Sequence, residues 1–358
     1  MYTKPTYPVS VMINWTKRYI FIFIILSLIP VSLYELLDWK FLNLPWRPIG
    51  LVGTALAFII GFKNNASYGR LWEARKIWGA IVNASRLLAT MVNDFITNEH
   101  TKREYSEEEF FSIRKEIVMR HIAWMTSLRH ALRQKKPWET TFSRKTDQKF
   151  VKRFHIREYE HSLEEELTDY LSEAEKKHVL SMSNKQAACL ALQSKQFKDL
   201  QLAGLIEDFR HMEFKNIIGD LFTLQGQAER IKNFPYPRQF ATLNLFFVWI
   251  FICLLPLGIM GEFDEIGKSL IDPNRGLAYN FIAEHFVWLT VPFSVVIAWI
   301  FHTMERIGDI SENPFEGTGN DIPITTMSRG IEIDIREMIG EDKSSIPAPH
   351  PMSQDSQM

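Results

Sequence analysis

An aromatic stripe in the apolar stretch 48–62 is the first arrangement of side chains that could carry a function. Phe58 and Phe62 lie four positions apart, so in a helix they stand above one another on one face. Thr54 and Leu51 continue that face toward the other end. A helix with small residues around such a stripe suits a narrow channel if several copies surround an axis. The alternative is that both rings only pack against neighbouring helices.

Charged side chains form a second group, and their types favour structure over catalysis. Glu73, Arg75, Glu229 and Arg230, together with Arg70, suggest an ion-pair network just beneath a membrane. The ten histidines include no close pair with metal-ligand spacing. The sequence also lacks a glycine-rich phosphate loop and a nucleophile elbow. We therefore predict that the protein is not an enzyme and has no metal or cofactor site.

Four apolar runs must position these side chains. They are residues 19–34, 48–62, 240–261 and about 281–301. A bilayer core of about 30 Å needs about 20 helical residues, so the second run has to continue into the uncharged sequence after it. Lys63 then has to snorkel or to face water. No proline follows Pro48 in this region, so we predict one long helix that leaves the membrane and continues into water.

Basic residues indicate how the four spans are oriented. They lie before the first span, after the second, before the third and after the fourth: Lys17, Arg18, Lys63, Arg70, Arg75, Lys76, Arg238 and Arg306. By the positive-inside rule, both termini and the middle segment are cytoplasmic. We therefore expect a multi-pass protein of the cell membrane in contact with lipid. The net charge of -1 and the pI near 6.8 do not favour a nucleic-acid partner.

The middle segment, about residues 63–239, shows helical patterns throughout. Capping boxes start two of its helices, one at Ser106 with Glu109 and one at Ser172 with Glu175. A basic stretch between them is most simply a solvated face; its residues are Arg144, Lys145, Lys149, Lys152, Arg153 and Arg157. The predicted fold class is therefore all-α, a four-span helical membrane protein with a large cytoplasmic helical domain.

The segment boundaries follow from the same patterns. A long helical pattern covers residues 184–232, which Gly204 or Gly226 could interrupt. Residues 343–358 are polar and contain proline, which predicts a disordered tail. In order, we predict a cytoplasmic N-terminal segment 1–18, two spans in 19–68, a cytoplasmic domain 69–237, two spans in 238–304, a post-membrane segment 305–342 and the tail 343–358.

Short motifs recur along the chain in a characteristic order. They are Gly61-Phe62, the octapeptide 68–75 (YGRLWEAR), Trp78-Gly79, the hexapeptide 81–86 (IVNASR), Glu229-Arg230-Ile231, Pro235-Tyr236-Pro237, Asn313-Pro314-Phe315 and Asn320-Asp321. With the four spans, these motifs make the chain resemble the bestrophin family, in its bacterial branch, over about residues 5–340. The resemblance implies a homopentameric ion channel with a central pore, a neck lined by the second span and a cytoplasmic helical vestibule.

The resemblance also assigns residues to the neck. In the family, three rings of apolar side chains lie four residues apart and end at the aromatic of the Gly-Phe pair. The rings then fall on Phe62, Phe58 and Thr54, and Thr54 departs from the usual bulky apolar residue. Five apolar side chains around an axis form a constriction that excludes water, and this gates conduction without a moving plug.

A second constriction is implied on the long helix before the Pro-x-Pro turn. Counting back from that turn places it near Phe209, with Ile206 and Met212 one turn to either side. Apolar residues on a long helix also commonly belong to a core, so packing is the alternative interpretation of these three.

The turn Asn313–Asp321 is the region where animal members of the family bind Ca²⁺ through an acidic cluster. Here Thr318 and Gly319 interrupt the acidic run, and Glu316 and Asp321 are its remaining carboxylates. Ca²⁺ takes about six to eight oxygen ligands, so we predict a degraded clasp that holds no metal. Asn313 and Asp321 are then expected to cap turns.

The function that the resemblance implies is passive conduction of anions such as chloride. Cation-permeable members also occur in the bacterial branch, so a sodium-permeable channel is an alternative. A non-conducting membrane scaffold is another. Cytoplasmic charge does not decide between the ions, because acidic residues at 164–169 accompany the basic stretch. The expected partners are further copies of the chain, membrane lipid and chloride or sodium.

Overall fold

The computed structural model describes residues 1–140, 147–148, 151–353 and 355–358. Of the predicted basic stretch, Arg144, Lys145 and Lys149 lie outside these residues. Two compact units are present. The membrane unit comprises Lys4–Gly69 and Tyr236–Glu312, and the helical unit comprises Met1–Thr3, Arg70–Pro235 and Asn313–Met358.

Helices account for nearly all regular structure in the described residues. In chain order the α-helices are α1 (Val9–Leu36), α2 (Trp46–Phe95), α3 (Glu107–Arg133), α4 (Arg157–Glu160), α5 (Leu163–Leu167), α6 (Glu173–Ser181), α7 (Lys185–Leu202), α8 (Asp208–Asn233), α9 (Arg238–Leu270), α10 (Leu277–Glu284), α11 (Thr290–Ser311) and α12 (Ile324–Met338). Two 3₁₀ helices cover Lys40–Leu42 and Phe286–Leu289. The prediction of an all-helical fold is confirmed for this part of the chain.

Four helical stretches are long and apolar enough to cross a membrane, as the sequence predicts. They are Val9–Leu36, Lys40–Phe95, Arg238–Leu270 and Phe286–Ser311. The 50 residues of α2 form one helix, which confirms the continuous second span. The fourth span begins later than predicted, because the polar pair Glu284 and His285 separates α10 from the 3₁₀ turn before α11. It also extends past residue 304, to Ser311.

Apolar side chains from the spans form the core of the membrane unit. They are Phe23, Ile49, Leu56, Ile60, Val248, Phe251, Ile252, Leu255, Ile259 and Ala298. Because lipid is as apolar as this core, close packing and polar contacts hold such helices together rather than a hydrophobic driving force. One polar contact joins α11 to α1, where the indole N–H of Trp299 donates to the Thr16 hydroxyl at 3.0 Å.

Buried aromatic side chains anchor the helical unit. Trp78, Trp124, Phe197 and Phe214 are fully buried there. Phe197 of α7 stacks on Phe214 of α8 with ring centroids 4.2 Å apart.

Capping boxes start three helices of this unit. The two predicted ones, at Ser106 and Ser172, are both present. Ser162 with Glu165 forms a third, at the start of α5, that was not predicted. Each box satisfies backbone N–H groups that have no partner within the first turn of a helix.

Gly204 interrupts the long helical pattern, whereas Gly226 lies inside α8. The φ angle of Gly204 is 79°, in the left-handed region that favours glycine. A Cβ at this position would lie 2.3 Å from the carbonyl oxygen of His100. The helix therefore ends at Leu202, and a second one begins at Asp208.

A buried ion-pair cluster joins α3 to the two short helices that follow it. Arg129 donates to Glu166 at 2.8 Å and also to Glu158, while Arg157 donates to Glu166 at 2.9 Å. Burial would raise the pKa of Glu166. The neighbouring His130 ring and the two guanidinium groups outweigh burial and lower this pKa to about 2. Glu166 is therefore ionised at neutral pH and stabilises the fold in that form.

The C-terminal residues, for which the sequence predicts disorder, lie against the helical unit in the structure. The backbone N–H of Gln357 donates to the carbonyl of Met1 at 2.9 Å, and that of Thr326 donates to the carbonyl of Met358. The Met358 side chain is buried in a small apolar cluster with Val151, Phe154 and Ile156. Backbone hydrogen bonds and the buried Met358 side chain therefore hold the C-terminal residues in place, although their composition is polar.

We expect Gly204→Ala to destabilise the protein by at least about 2 kcal/mol, because a Cβ in the left-handed region costs ~1–2 kcal/mol and here also clashes with the carbonyl oxygen of His100. Gly226→Ala is the matched control, because nothing lies within 4 Å of its added Cβ. The control should be neutral or stabilising by up to about 1 kcal/mol. Thermal unfolding of the purified protein measures both, and equal effects would contradict the helix break at Gly204.

We expect Glu166→Gln to lower the free energy of unfolding at pH 7 by about 3 kcal/mol. This magnitude follows because folding lowers the pKa of the Glu166 carboxyl from 4.5 to about 2. Because the folded pKa is the lower one, this contribution is complete above pH 4.5 and is lost as the pH falls toward 2. The melting temperatures of variant and parent should therefore converge across that window. Glu164→Gln, an exposed change on the same helix, is the control. A difference independent of pH would contradict the assignment.

Candidate functional site

The part of α2 in the membrane unit has two faces of opposite character. Its buried face carries Ile49, Leu56, Ile60 and Lys63, each at most 5% exposed. Its outward face carries Leu51, Thr54, Phe58, Phe62 and Asn65. Phe58 and Phe62 are 65% and 74% exposed. The structure thus places all three predicted neck residues on one unpacked face.

A groove of about 820 Å³ runs beside these residues within the membrane unit. Its lining consists of Trp46, Gly50, Gly53, Thr54, Ala57, Phe58, Gly61, Phe62, Asn65, Phe251, Ile297 and Phe301. The Thr54 hydroxyl donates to the carbonyl of Gly50, one turn earlier, at 2.9 Å. Because its proton is used within the helix, Thr54 is less polar toward the outside than its residue type suggests.

Lys63 neither snorkels nor faces water, so both expectations for it are wrong. Its ammonium nitrogen lies 2.5 Å from Glu305 Oε1 and 2.5 Å from Asp309 Oδ1, both on α11. The three side chains are 1%, 0% and 9% exposed. A buried lysine in a membrane span is costly unless it is paired, and the two carboxylates supply that pairing. Sequence reasoning missed this cluster, although two carboxylates four positions apart at the end of a span were a usable signal.

Further ion pairs follow along the end of α11. Arg306 Nη1 lies 3.8 Å from Asp309 Oδ2. Glu312, just after the helix, accepts a hydrogen bond from Arg238 at the start of α9. Charged side chains at this end of the membrane unit are therefore paired with one another, and the pairs connect α11 to α9 as well as to α2.

The structure separates the three residues predicted to form the second constriction. Phe209 and Met212 lie on α8 and are 80% and 61% exposed. Ile206 lies in the turn before α8, is 2% exposed and belongs to the apolar core of the helical unit. Its assignment to a pore-lining helix is wrong, because Gly204 ends the helix just before it.

The predicted charge network is not a single cluster among the contacts of the described residues. Glu73 and Arg230 form an exposed ion pair of 2.8 Å. Arg70 donates to two backbone carbonyls near the end of α8. Glu229 accepts hydrogen bonds from two glutamine amides, and Arg75 contacts a methionine sulfur. The five side chains therefore make separate local contacts, because even residues that are close in sequence have different neighbours in the structure.

Asp321 organises the turn-rich segment after α11. Its buried carboxylate accepts hydrogen bonds from the backbone N–H groups of Phe315, Gly317 and Ile322 at 2.7–2.8 Å. These bonds hold Phe315 and Gly317 at φ angles of 71° and 88°. The turn-capping role predicted for Asp321 is confirmed, and Asn313 is buried in the same segment.

The cation beside Asp321 belongs to the protein itself. Arg133 of α3 donates to Asp321 Oδ2 at 2.9 Å, and both side chains are buried. The other carboxylate of this turn, Glu316, is buried and accepts a hydrogen bond from Thr140. In the part of the chain that the structure describes, no group of three or more His, Cys, Asp or Glu side chains is placed to hold a metal ion.

Known proteins are similar to this chain in sequence or in fold. A voltage-dependent anion channel-forming protein of Ralstonia nicotianae is 28% identical over 300 residues, covering 84% of this chain and 79% of that protein. A protein with the same description from Escherichia coli is 24% identical over 350 residues, 94% of each chain. In fold, the chain matches the crystal structure of a bacterial bestrophin homologue from Klebsiella pneumoniae with a TM-score of 0.70. That match has 23% identity and covers 90% of this chain and 98% of the other.

The family profile described as Bacterial/Fungal Bestrophin protein matches residues 7–269 and 281–337. These ranges include three of the four spans completely, and the third, Arg238–Leu270, except for its last residue. The chain therefore belongs to the bacterial and fungal bestrophin family.

Proposed function

We propose that this chain is the pore-forming subunit of a homopentameric channel that conducts anions such as chloride passively. The observation that carries the proposal is the two-faced α2, which packs one face inside the membrane unit and leaves Thr54, Phe58 and Phe62 unpacked on the other. Five copies around an axis would arrange these residues as three rings. The relatives named as voltage-dependent anion channel-forming proteins support the choice of anions.

The rings of Phe58 and Phe62 would act as a hydrophobic gate. A narrow apolar constriction loses its water, and an ion then meets a barrier without any plug having to move. Thr54 would form the outermost ring, wider than the phenyl rings because its side chain is shorter. The gate would open when the rings separate or turn enough to admit water.

Weak anion preference follows from the chemistry of the same rings. Phenyl edges carry a slight positive potential, so edges that line the neck favour anions. The nearby buried charges add no net charge, because Lys63 and Arg306 are matched by Glu305 and Asp309.

The remaining assignments are part of the same proposal. Phe209 and Met212, both exposed on α8, would line the cytoplasmic constriction without Ile206. The channel would lie in the cell membrane with both termini and the helical unit in the cytoplasm, as the basic residues flanking the spans indicate. The family match and the channel-forming relatives favour a channel over an enzyme.

We expect Phe58→Ala combined with Phe62→Ala to raise single-channel conductance or open probability several-fold, because the constriction becomes wider and wetter. Planar bilayer recordings of the purified protein measure this. Phe246→Ala is the control, since Phe246 is 57% exposed in the membrane unit but lies on α9. Currents of the double variant that match those of the control would argue against the neck assignment.

We expect the reversal potential in a tenfold NaCl gradient to approach the Nernst potential of chloride, about 59 mV in magnitude for a single charge. Replacing Cl⁻ by a large anion should then reduce the current, and replacing Na⁺ by a large cation should not. A reversal potential near that of Na⁺ would overturn the anion assignment in favour of a sodium-permeable channel. Silent bilayers from well-folded pentamers would favour a scaffold.

A further inference from the structure

The position of Lys63 is unusual for its residue type. It continues the buried stripe of α2 directly after Leu56 and Ile60, which both pack in the apolar core. Lys63 is as deeply buried as they are, at 1% exposure. An apolar residue could fill this position through packing alone. The charge of Lys63 is therefore not required by packing.

The ion pairs of Lys63 are directional in a way that apolar packing is not. The ammonium group reaches Glu305 and Asp309 together, at 2.5 Å each. These two acids lie four positions apart and thus on one face of α11. An apolar stripe can slide or turn against another at small cost. An ammonium group that turns away from both carboxylates leaves its own charge and that of Glu305 buried without each other.

The side chains of Lys63 and of the proposed neck lie on the same helix, so they rotate together. Phe62 and Lys63 are consecutive, so about 100° of helix rotation separates their side chains. Any turn of α2 that moved Lys63 out of its carboxylate pair would move Phe62, and Phe58 one turn away, by the same angle. With Arg306 included, the cluster has two positive and two negative side chains, which favours a geometric role over one of attracting ions.

We propose that Lys63 is a positioning residue for the gate: its ion pairs with Glu305 and Asp309 set the rotation of α2 and so direct Phe58 and Phe62 toward the conduction path. This inference rests on the proposed channel function. Glu305 and Asp309 share the role as the partners that define the angle.

Thiol labelling tests the rotation directly. Single cysteines are introduced as Thr54→Cys on the outward face or Ile60→Cys on the buried face, in a Cys253→Ser background because Cys253 is exposed. A charged methanethiosulfonate reagent is applied to the folded pentamer. With Lys63 present, we expect Thr54→Cys to react and Ile60→Cys to be protected.

We expect Lys63→Met to raise the labelling rate of Ile60→Cys on the order of tenfold, which corresponds to a shift of about 1.4 kcal/mol in the preferred rotation. Labelling of Thr54→Cys should fall, and single-channel currents should change with it. Lys63→Arg, which keeps the charge, should retain the original pattern. Lys268→Met is the matched control, because Lys268 also pairs with a carboxylate in the membrane unit but is exposed.

A neutral variant keeps the test decisive if Lys63→Met alone fails to fold. It carries Lys63→Met and Glu305→Gln and keeps Asp309 as the partner of the buried Arg306, so the buried charges stay balanced. Loss of stability without rotation would lower the yield and leave the labelling pattern of the folded fraction unchanged. Unchanged labelling and unchanged currents in this variant would overturn the positioning role. Silent bilayers from the unsubstituted protein would overturn the channel proposal instead, and the two failures are therefore distinct.

Discussion

Hydrocarbon offers no hydrogen-bonding partner, and this constraint determines where the polar groups of the membrane unit lie. The backbone is satisfied within helices. Lys63 is satisfied by two carboxylates of α11, and the hydroxyl proton of Thr54 by a carbonyl one turn earlier. With these needs met inside the protein, α2 can present an outward face made mostly of side chains that require no polar partner. The candidate neck is the consequence of that distribution.

The helical unit is under a different constraint, because water can hydrogen-bond to the polar groups on its surface. Its exposed ion pair between Glu73 and Arg230 contributes little, as is usual for solvated pairs. The buried cluster around Arg129 and Glu166 is of another kind, since water cannot replace a partner that is removed and the charges left behind are no longer balanced. Ion pairs thus contribute unequally to the stability of the molecule. Their burial, rather than their number, determines how much they contribute.

Local patterns allowed much of the fold to be predicted. Charge-free runs located the spans, the lack of proline indicated the continuous α2, and Ser-x-x-Glu spacing located two capping boxes. The helical period also identified the face that carries Phe58 and Phe62. What could not be predicted depends on distant neighbours: the partner of Lys63 lies 242 residues away. Likewise, Gly204 breaks the helix before Ile206 where the chain meets the His100 carbonyl. Which face of α2 is packed also became clear only with the other spans in place.

The turn held by Asp321 and Arg133 has a counter-ion that is part of the chain itself. A metal ion at such a turn exchanges with solution, so its occupancy reports the ion concentration. A guanidinium group that is part of the chain cannot leave, and its local concentration stays constant as long as the protein is folded. The Asp321 carboxylate is therefore neutralised from within the chain, and its pair with Arg133 joins the turn to α3 in the folded protein. A tethered counter-ion has no dissociation constant to tune.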